Sequence, residues 1–163
     1  MRRVRKTFTA REPVDLVAAV PYLLGFHPRR SVVLVGLRSQ RLVVTARLDL
    51  VDALRPEMID HTLVAFVRGG ATTIVLVGYD DASAPHQAPE DTATPLGRGV
   101  TWCEYAAEIR LAVERAGCDL GDALLTSEGR WWSLTCQVAE CCPPEGRELG
   151  EASSAFAALA TYE

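Results

Sequence analysis

Apolar residues recur along this chain with two different spacings, which predict strands and helices in alternation. Continuous runs of branched apolar residues at 31–37 and 72–78 are typical of strands that are covered on both faces. Alternation of two sets of residues over 41–50, one of them wholly apolar, after a turn at 38–40 predicts the second strand of a hairpin. Further strands are predicted at 4–10, 122–126 and 130–136.

Helices are predicted where apolar residues recur every three or four positions. One helix begins at Pro56 and ends at Gly69. Another begins at Pro13, a residue that suits the first turn of a helix, and ends at Gly25. Pro21 interrupts the apolar stripe of this helix, so a kink or a second short helix is expected there. Two more helices are predicted at 102–116 and 153–162.

The element order, β-α-β-β-α-β-α-β-β with a terminal helix, predicts an α/β fold with helices packed on a mixed sheet. Strand–helix–strand units favour parallel pairing with right-handed crossovers, and hairpins add antiparallel pairs. The length of 163 residues is close to the ~150 of one domain, so residues 1–163 are expected to form a single α/β domain. Residues 80–101 have no periodicity and predict a long mobile loop.

The composition, 48% hydrophobic and 23% charged, is typical of a globular protein. No apolar run approaches the ~20 residues that a membrane-spanning helix needs. The basic residues at 1–6 precede no apolar stretch, so we expect no secretory signal. Five cysteines, an odd number, then favour a cytoplasmic protein with reduced thiols.

Charge is distributed unevenly along the chain. Ten basic residues and only two acidic ones precede Asp49, whereas the rest of the chain is strongly acidic. A basic face for nucleic acid is one interpretation, and cancellation against acidic loops of the same domain is the other. The pI of about 5.4 favours cancellation, so nucleic acid is not the expected partner.

Cys136, Cys141 and Cys142 form the most distinctive cluster of potential metal ligands. Zinc needs four ligands, usually from two paired arms, and no second arm with CxxC or HxxxH spacing is present. Zinc is therefore a possible cofactor that the spacing does not favour. A disulfide from Cys136 to either neighbour is sterically possible. Small buried thiols that brace an irregular loop are the favoured interpretation.

A candidate binding surface consists of His27, Arg130, Trp131, Trp132 and Glu145, provided that the fold brings the 25–28 loop next to the 130–146 segment. Successive strand residues face opposite sides, so one tryptophan is expected in the core and the other at solvent or a groove. An exposed tryptophan beside an arginine is typical of an interaction hot spot. We expect Trp132→Ala to abolish partner capture without unfolding the domain.

Two further groups of residues have both a catalytic and a structural interpretation. His27 can serve as a general acid or base, or can cap the carbonyl groups of the preceding helix. Asp80 and Asp81 follow a strand and can bind Mg²⁺, or can simply begin an acidic loop. The chain contains no P-loop, GxGxxG, HExxH or GxSxG motif, which argues against the common nucleotide-dependent enzymes and hydrolases.

Several segments resemble an actinobacterial family of domains of unknown function. The resemblance rests chiefly on the sequences GFHP at 25–28 and CCPPEG at 141–146, and it extends over residues 4–149. It implies a bacterial cytoplasmic origin but no activity, and members of the family are usually longer than this chain.

The expected function is that of a cytosolic binding or assembly module with a protein or small-molecule partner. A metal- or thiol-dependent enzyme that uses His27 with Cys136, Cys141 and Cys142 is the first alternative. Weak nucleic-acid binding through the basic first third of the chain is the second, and it predicts affinity that falls steeply with salt.

Overall fold

The computed structural model describes residues 13–26, 28–80, 101–127, 129–135 and 146–148. These residues form a mixed six-stranded sheet with helices packed against it, which confirms the predicted fold class. In chain order the elements are α1 (Pro13–Leu24), β1 (Ser31–Arg38), β2 (Arg41–Asp49), α2 (Leu50–Ala53), α3 (Pro56–Arg68), β3 (Thr73–Tyr79), α4 (Trp102–Arg115), β4 (Asp119–Ser127), β5 (Arg130–Ser133) and β6 (Arg147–Glu148).

The strand order in the sheet is β2-β1-β3-β4-β5-β6. Among these described strands only β3 and β4 form a parallel pair, and α4 connects them in the predicted strand–helix–strand unit. The other pairs are antiparallel. The strand–helix–strand unit from β2 through α3 to β3 was also predicted. Its two strands run in the same direction, but they are not paired because β1 lies between them. β2, β3 and β4 therefore all end on one side of the sheet, here called the carboxyl end, where β1 and β5 begin.

Both faces of the sheet are covered, as the continuous apolar strands predict. On one face, α1 contributes apolar residues that pack over β1, β3 and β4. On the other face, α2, α3 and α4 pack over alternate residues of the same strands. The face under α1 includes Val33, Val77 and Leu124, each fully buried. The opposite face includes Leu34 and Leu76.

Local sequence accounts for the ends of most elements. The hairpin between β1 and β2 turns at Ser39 and Gln40, both of which have positive φ, as a two-residue hairpin turn requires. α4 begins with a capping box in which Thr101 Oγ1 accepts a hydrogen bond from the Glu104 backbone N–H, while the Glu104 carboxylate accepts one from the Thr101 N–H. The register between β1 and β2 shifts by one residue after Gly36: Gly36 pairs with Val44, and Leu37 then pairs with Leu42.

The structure corrects the expectation of a second short helix at Pro21. α1 continues past this residue to Leu24, and the Gly25 N–H donates to the Pro21 carbonyl at 2.9 Å. Pro21 lies near the end of α1 and lacks a backbone N–H for the helix. Burial of Leu16, Val17 and Val20 in the preceding turns, against the sheet, stabilises the helix despite this missing donor.

Some sequence-based predictions lie outside the described residues: the strand at 4–10, the helix at 153–162 and nearly all of the 80–101 loop. β6 was not predicted, since the segment before it resembled only irregular structure. None of the helices that the structure describes is both long and apolar enough to cross a membrane.

Candidate functional site

One row of side chains crosses all six strands at the carboxyl end of the sheet, on the face that α1 covers. Each member is the register partner of the next across its strand pair. Every member carries a hydroxyl group, a charge or an indole ring. We call this set the end row; it comprises Asp49, Ser31, Tyr79, Thr126, Trp131 and Arg147.

The alternation of strand residues places the end row on the α1 face. Tyr79 and Trp131 belong to the apolar cluster that contains α1. Ser31 lies two residues before Val33 of the same cluster, and Thr126 lies two residues after Leu124. The next row toward the middle of the sheet is apolar on its central strands. On the central strands the row of Ser31, Tyr79 and Thr126 is thus followed inward by the apolar row of Val33, Val77 and Leu124.

The three hydroxyl groups of the central strands are buried. Ser31 is 0% exposed, Tyr79 3% and Thr126 6%. Burial raises the pKa of Tyr79 above its ordinary value, so its phenol remains a hydrogen-bond donor at neutral pH. Ser31 Oγ has no hydrogen-bond partner within the described part of the chain. Leaving a buried polar group unpaired costs about 1–3 kcal/mol, so packing alone does not explain Ser31.

Arg47 lies beside the β2 end of the row and is held on two sides. Its Nη2 donates to Asp49 Oδ1 at 2.9 Å, and its guanidinium carbon lies 5.5 Å from the centre of the Phe26 ring. Its Nε is buried and has no partner among the described residues. A guanidinium nitrogen and a serine hydroxyl on neighbouring strands thus have no partner within the described ranges.

One arginine lies against the indole ring at the other end of the row, and a second links β5 to the segment that contains β6. Arg147 lies 5.8 Å from the Trp131 ring centre, in the range of a cation–π contact. Arg130 Nη1 donates to the Gly146 carbonyl at 3.3 Å, and its Nη2 lies 3.7 Å from Glu148 Oε1. Arg130 and Trp131 of the predicted binding surface therefore lie at the same end of the sheet, at β5 and β6, but strand alternation directs their side chains to opposite faces.

Trp132 belongs to the core and not to this surface, which corrects its place in the predicted binding surface. It is 6% exposed and packs with α4 on the opposite face from Trp131. A Cβ at Gly146 would lie 2.6 Å from the Trp132 ring, so this glycine lets the backbone close over the indole. Removing the Trp132 ring would leave a core cavity, and Trp132→Ala does not test partner capture.

The two loops expected to form one surface lie apart in their described residues. Phe26 contacts Arg47 on β2, whereas Trp131 is on β5, four strand positions away. At ~4.8 Å per strand this separation is roughly 19 Å. His27, Glu145, Cys136, Cys141 and Cys142 lie outside the described residues.

Asp80 occupies the opposite face of the carboxyl end and is 1% exposed. Trp102 Nε1 donates to Asp80 Oδ2 at 3.0 Å, and the Asp80 N–H donates to the Thr126 carbonyl at 3.0 Å. Gly78 makes room for the Trp102 ring. The predicted Mg²⁺ site at Asp80 and Asp81 is not visible as a cluster: the described residues contain no group of three potential metal ligands, and Asp81 lies outside them.

A concave region lies between α3 and α4. It has a volume of about 270 Å³ and an apolar floor that includes Ile59, Tyr105 and Ile109. Asp60 and Arg115, 4.0 Å apart, stand at its rim. The Tyr105 hydroxyl already donates to the Ala53 carbonyl at 2.8 Å. We call this region the helix groove.

The basic residues of the first third of the chain do not form one face within the described residues. Arg29, Arg30 and Arg47 lie toward the carboxyl end of the sheet, whereas Arg38 and Arg41 flank the turn at the other end. The eight residues of β1 separate the two groups by roughly 25 Å.

Sequence reasoning missed Ser31, Tyr79, Thr126 and Arg147 as possible site residues. The available signal was their position, because polar residues at the carboxyl ends of buried strands often line ligand crevices in α/β proteins. A glycine inside an apolar strand could likewise have revealed the close approach of Trp102 to Gly78.

Two comparisons with known proteins complete the description of the site. The sequence model of a domain of unknown function, DUF4192, matches residues 13–163. No curated protein matches the chain. The predicted resemblance to a family of unknown function is thereby confirmed at the level of the family, while the actinobacterial origin and the GFHP and CCPPEG signatures stay predictions.

Proposed function

The chain belongs to the DUF4192 family of domains of unknown function, and we propose that it is a binding module whose partner meets the sheet at the end row. The observation that carries this proposal is the row itself, in which every strand contributes a polar or amphipathic side chain at the carboxyl end. Crevices outside the carboxyl ends of strands are where α/β sheets commonly bind ligands.

The chemistry of the end row suits a ligand with both apolar and hydrogen-bonding parts. The buried hydroxyls of Ser31, Tyr79 and Thr126 provide donors and acceptors in fixed positions on three adjacent strands. The half-buried ring of Trp131 provides apolar area, with Arg147 beside it. A few precisely placed polar groups within apolar surroundings are typical of small-molecule sites. We therefore favour a small-molecule ligand, with a protein partner as the alternative.

Binding is favoured over catalysis because the described row contains no activated nucleophile. A serine nucleophile needs a base within hydrogen-bond distance, and Ser31 Oγ has no partner among the described residues. The enzyme alternative rests on His27 and the three cysteines at 136, 141 and 142 and stays a prediction. A cytoplasmic location is part of the proposal, supported by the free thiols of Cys103 and Cys118.

A ligand panel tested on matched variants can decide whether the end row is the binding site. Thermal unfolding in the presence of small metabolites identifies a ligand that stabilises the wild-type protein. Thr126→Val removes one row hydroxyl at nearly constant volume, and Thr73→Val makes the same change at the opposite end of the sheet. Losing one hydrogen bond costs about 0.5–1.5 kcal/mol, so we expect Thr126→Val to weaken the affinity about 2- to 12-fold and Thr73→Val to leave it unchanged.

Two results of this experiment would contradict the proposal. In the first, the ligand binds both threonine variants as tightly as it binds the wild-type protein. In the second, the backbone amides whose chemical shifts change with ligand lie in the helix groove instead of the carboxyl ends of the strands.

A further inference from the structure

We propose that the ligand's phosphate or carboxylate group binds in an oxyanion subsite at the β2 end of the end row. The subsite is formed by Ser31, which belongs to the row, and Arg47, which lies beside it. This inference rests on the proposed function and adds the chemical class of the ligand to it. It depends on two buried polar groups on neighbouring strands that have no hydrogen-bond partner among the described residues.

The register of β1 and β2 makes Ser31 and Arg47 diagonal neighbours. Ser31 pairs with Asp49, and Arg47 pairs with Val33, so the two residues lie on the same face two positions apart. Diagonal neighbours in an antiparallel pair have Cα atoms roughly 7–8 Å apart, within reach of a long side chain. Arg47 and Ser31 can therefore contact one small group from opposite sides.

Both unpaired groups can donate hydrogen bonds. Ser31 is fully buried and its Oγ has no partner within the described chain, and the Nε atom of Arg47 is likewise buried without a partner there. A guanidinium N–H can only donate, so its missing partner is an acceptor. An oxyanion offers several acceptor atoms close together, which can accept from Arg47 Nε and Ser31 Oγ at once.

The surroundings of Arg47 orient its guanidinium for this role. Asp49 accepts from Nη2 and the Phe26 ring lies against the guanidinium, while Nε is buried without a partner among the described residues. The Asp49 carboxylate opposes anion binding, but its side chain is 64% exposed and is screened by water. Arg30, exposed and directly before Ser31, adds a second cation on this side of the sheet.

The backbone also fixes Arg30 near the subsite. Its φ of 43° lies in the left-handed region that arginine rarely adopts. Its carbonyl accepts a hydrogen bond from the Leu50 N–H at 3.4 Å, which ties the start of β1 to the end of β2. This connection holds the Arg30 backbone at the β2 end of the row.

The side-chain N–H signal of Arg47 reports directly on anion binding. We suggest recording arginine Nε–H resonances of ¹⁵N-labelled full chain during titrations with sodium phosphate, sodium acetate and, at matched ionic strength, sodium chloride. We expect the Arg47 signal to move and saturate with phosphate or with acetate, and to change little with chloride. Saturation by phosphate alone identifies a phosphate subsite, and saturation by acetate alone identifies a carboxylate subsite. A response no larger than that to chloride for both anions would overturn the proposal.

Matched variants separate a specific subsite from general attraction of anions. We expect Ser31→Ala to weaken anion affinity at least threefold when the Arg47 Nε–H signal is followed. Arg47→Gln lacks this signal, so the backbone amide of Ser31 is followed in the wild-type protein and in this variant, and we expect its saturable shift to be lost in the variant. Arg41→Gln, which removes an exposed arginine at the far end of β2, should have no effect. If Arg47→Gln does not fold, the single variant Arg47→Lys replaces it and is compared with the single variant Ser31→Ala. Lysine keeps the positive charge but lacks the Nε donor geometry. Equal weakening by Arg41→Gln and Ser31→Ala would contradict a specific subsite.

The failure of this inference can be distinguished from failure of the proposed function. A neutral ligand that loses affinity in Thr126→Val but not in Ser31→Ala would overturn the oxyanion subsite and leave the end row as the binding site. Saturable anion binding at Arg47 together with a panel ligand that maps to the helix groove would retain the subsite and contradict the wider proposal.

Discussion

Adding one methyl group at Gly78 is expected to destabilise the protein by about 3 kcal/mol, because the glycine lies against the indole ring of Trp102. A Cβ at this position would lie 2.4 Å from Trp102 Cζ3 and 2.8 Å from Cη2. Carbon atoms in contact are normally about 3.5–4.0 Å apart. The ring is buried and its Nε1 is bound to Asp80, so it cannot move away easily. Overpacking of a core typically costs about 1–3 kcal/mol, and so short a contact belongs at the upper end.

The free energy of unfolding of Gly78→Ala can be measured by urea denaturation followed by circular dichroism. At about 2–4 °C per kcal/mol for a chain of this size, Tm should fall by roughly 6–12 °C. The cause can be tested in a Trp102→Phe background, because phenylalanine lacks the Cζ3 and Cη2 atoms. There the added methyl group should cost less than about 1 kcal/mol.

Gly117→Ala provides the matched control for this double-mutant cycle. Gly117 has a φ of +87° and no atom within 4 Å of a built Cβ, so alanine there meets backbone strain and no steric conflict. We expect a cost of about 1 kcal/mol that is the same in both backgrounds. If Gly78→Ala also costs the same in the wild-type protein and in the Trp102→Phe background, the close contact with the indole is not its cause and the reasoning is refuted.

Three other predictions follow from the same structure. Trp132→Ala should lower the free energy of unfolding by about 3–5 kcal/mol because the Trp132 ring is buried. Trp131→Ala should lower it clearly less, because the Trp131 ring is half-buried. Equal losses of the two variants in urea unfolding would contradict this assignment. Thr101→Ala removes the capping box of α4 and should cost about 1 kcal/mol by the same assay, and an unchanged midpoint would show that the cap contributes nothing. Burial raises the pKa of the Cys118 thiol, and the neighbouring Asp119 carboxylate raises it further. Burial also raises the pKa of the Cys103 thiol, with a smaller contribution from Glu104. Thiolate formation is therefore suppressed near pH 8, and stability should fall as the pH rises through the ordinary cysteine pKa and beyond. Alkylation followed by mass spectrometry should show that Cys118 reacts more slowly than a free thiol at pH 8; a rate equal to that of free cysteine would contradict the burial.

Local pattern in the sequence predicts most of the described elements because their signals are local. The start of α3 at Pro56 follows from proline at the first turn, and the start of α4 at Trp102 follows from the apolar period of that helix. The hairpin of β1 and β2 follows from alternation on either side of a short turn. These features depend on residues a few positions apart, and sequence reasoning can evaluate them without knowing the fold.

The strand-end positions of the individual residues are visible in the sequence, but their assembly into one row is not, because the members of the end row are distant in sequence. Ser31, Tyr79, Thr126 and Arg147 come together only through the strand order, which the helical crossovers and the register determine. The alternation rule correctly separates Trp131 from Trp132, but period alone does not say which of the two faces α1 and solvent. Cover by α4 and by the backbone at Gly146 decides that Trp132 is the core residue.

The most direct test of a binding site at the carboxyl end of the sheet is a backbone amide chemical-shift map, recorded with the panel ligand that gives the largest rise in Tm. We expect the shifted amides to cluster around Ser31, Tyr79, Thr126 and Trp131. Shifts that cluster in the helix groove, or no shifted amides with any ligand in the panel, would contradict the end row as the functional site.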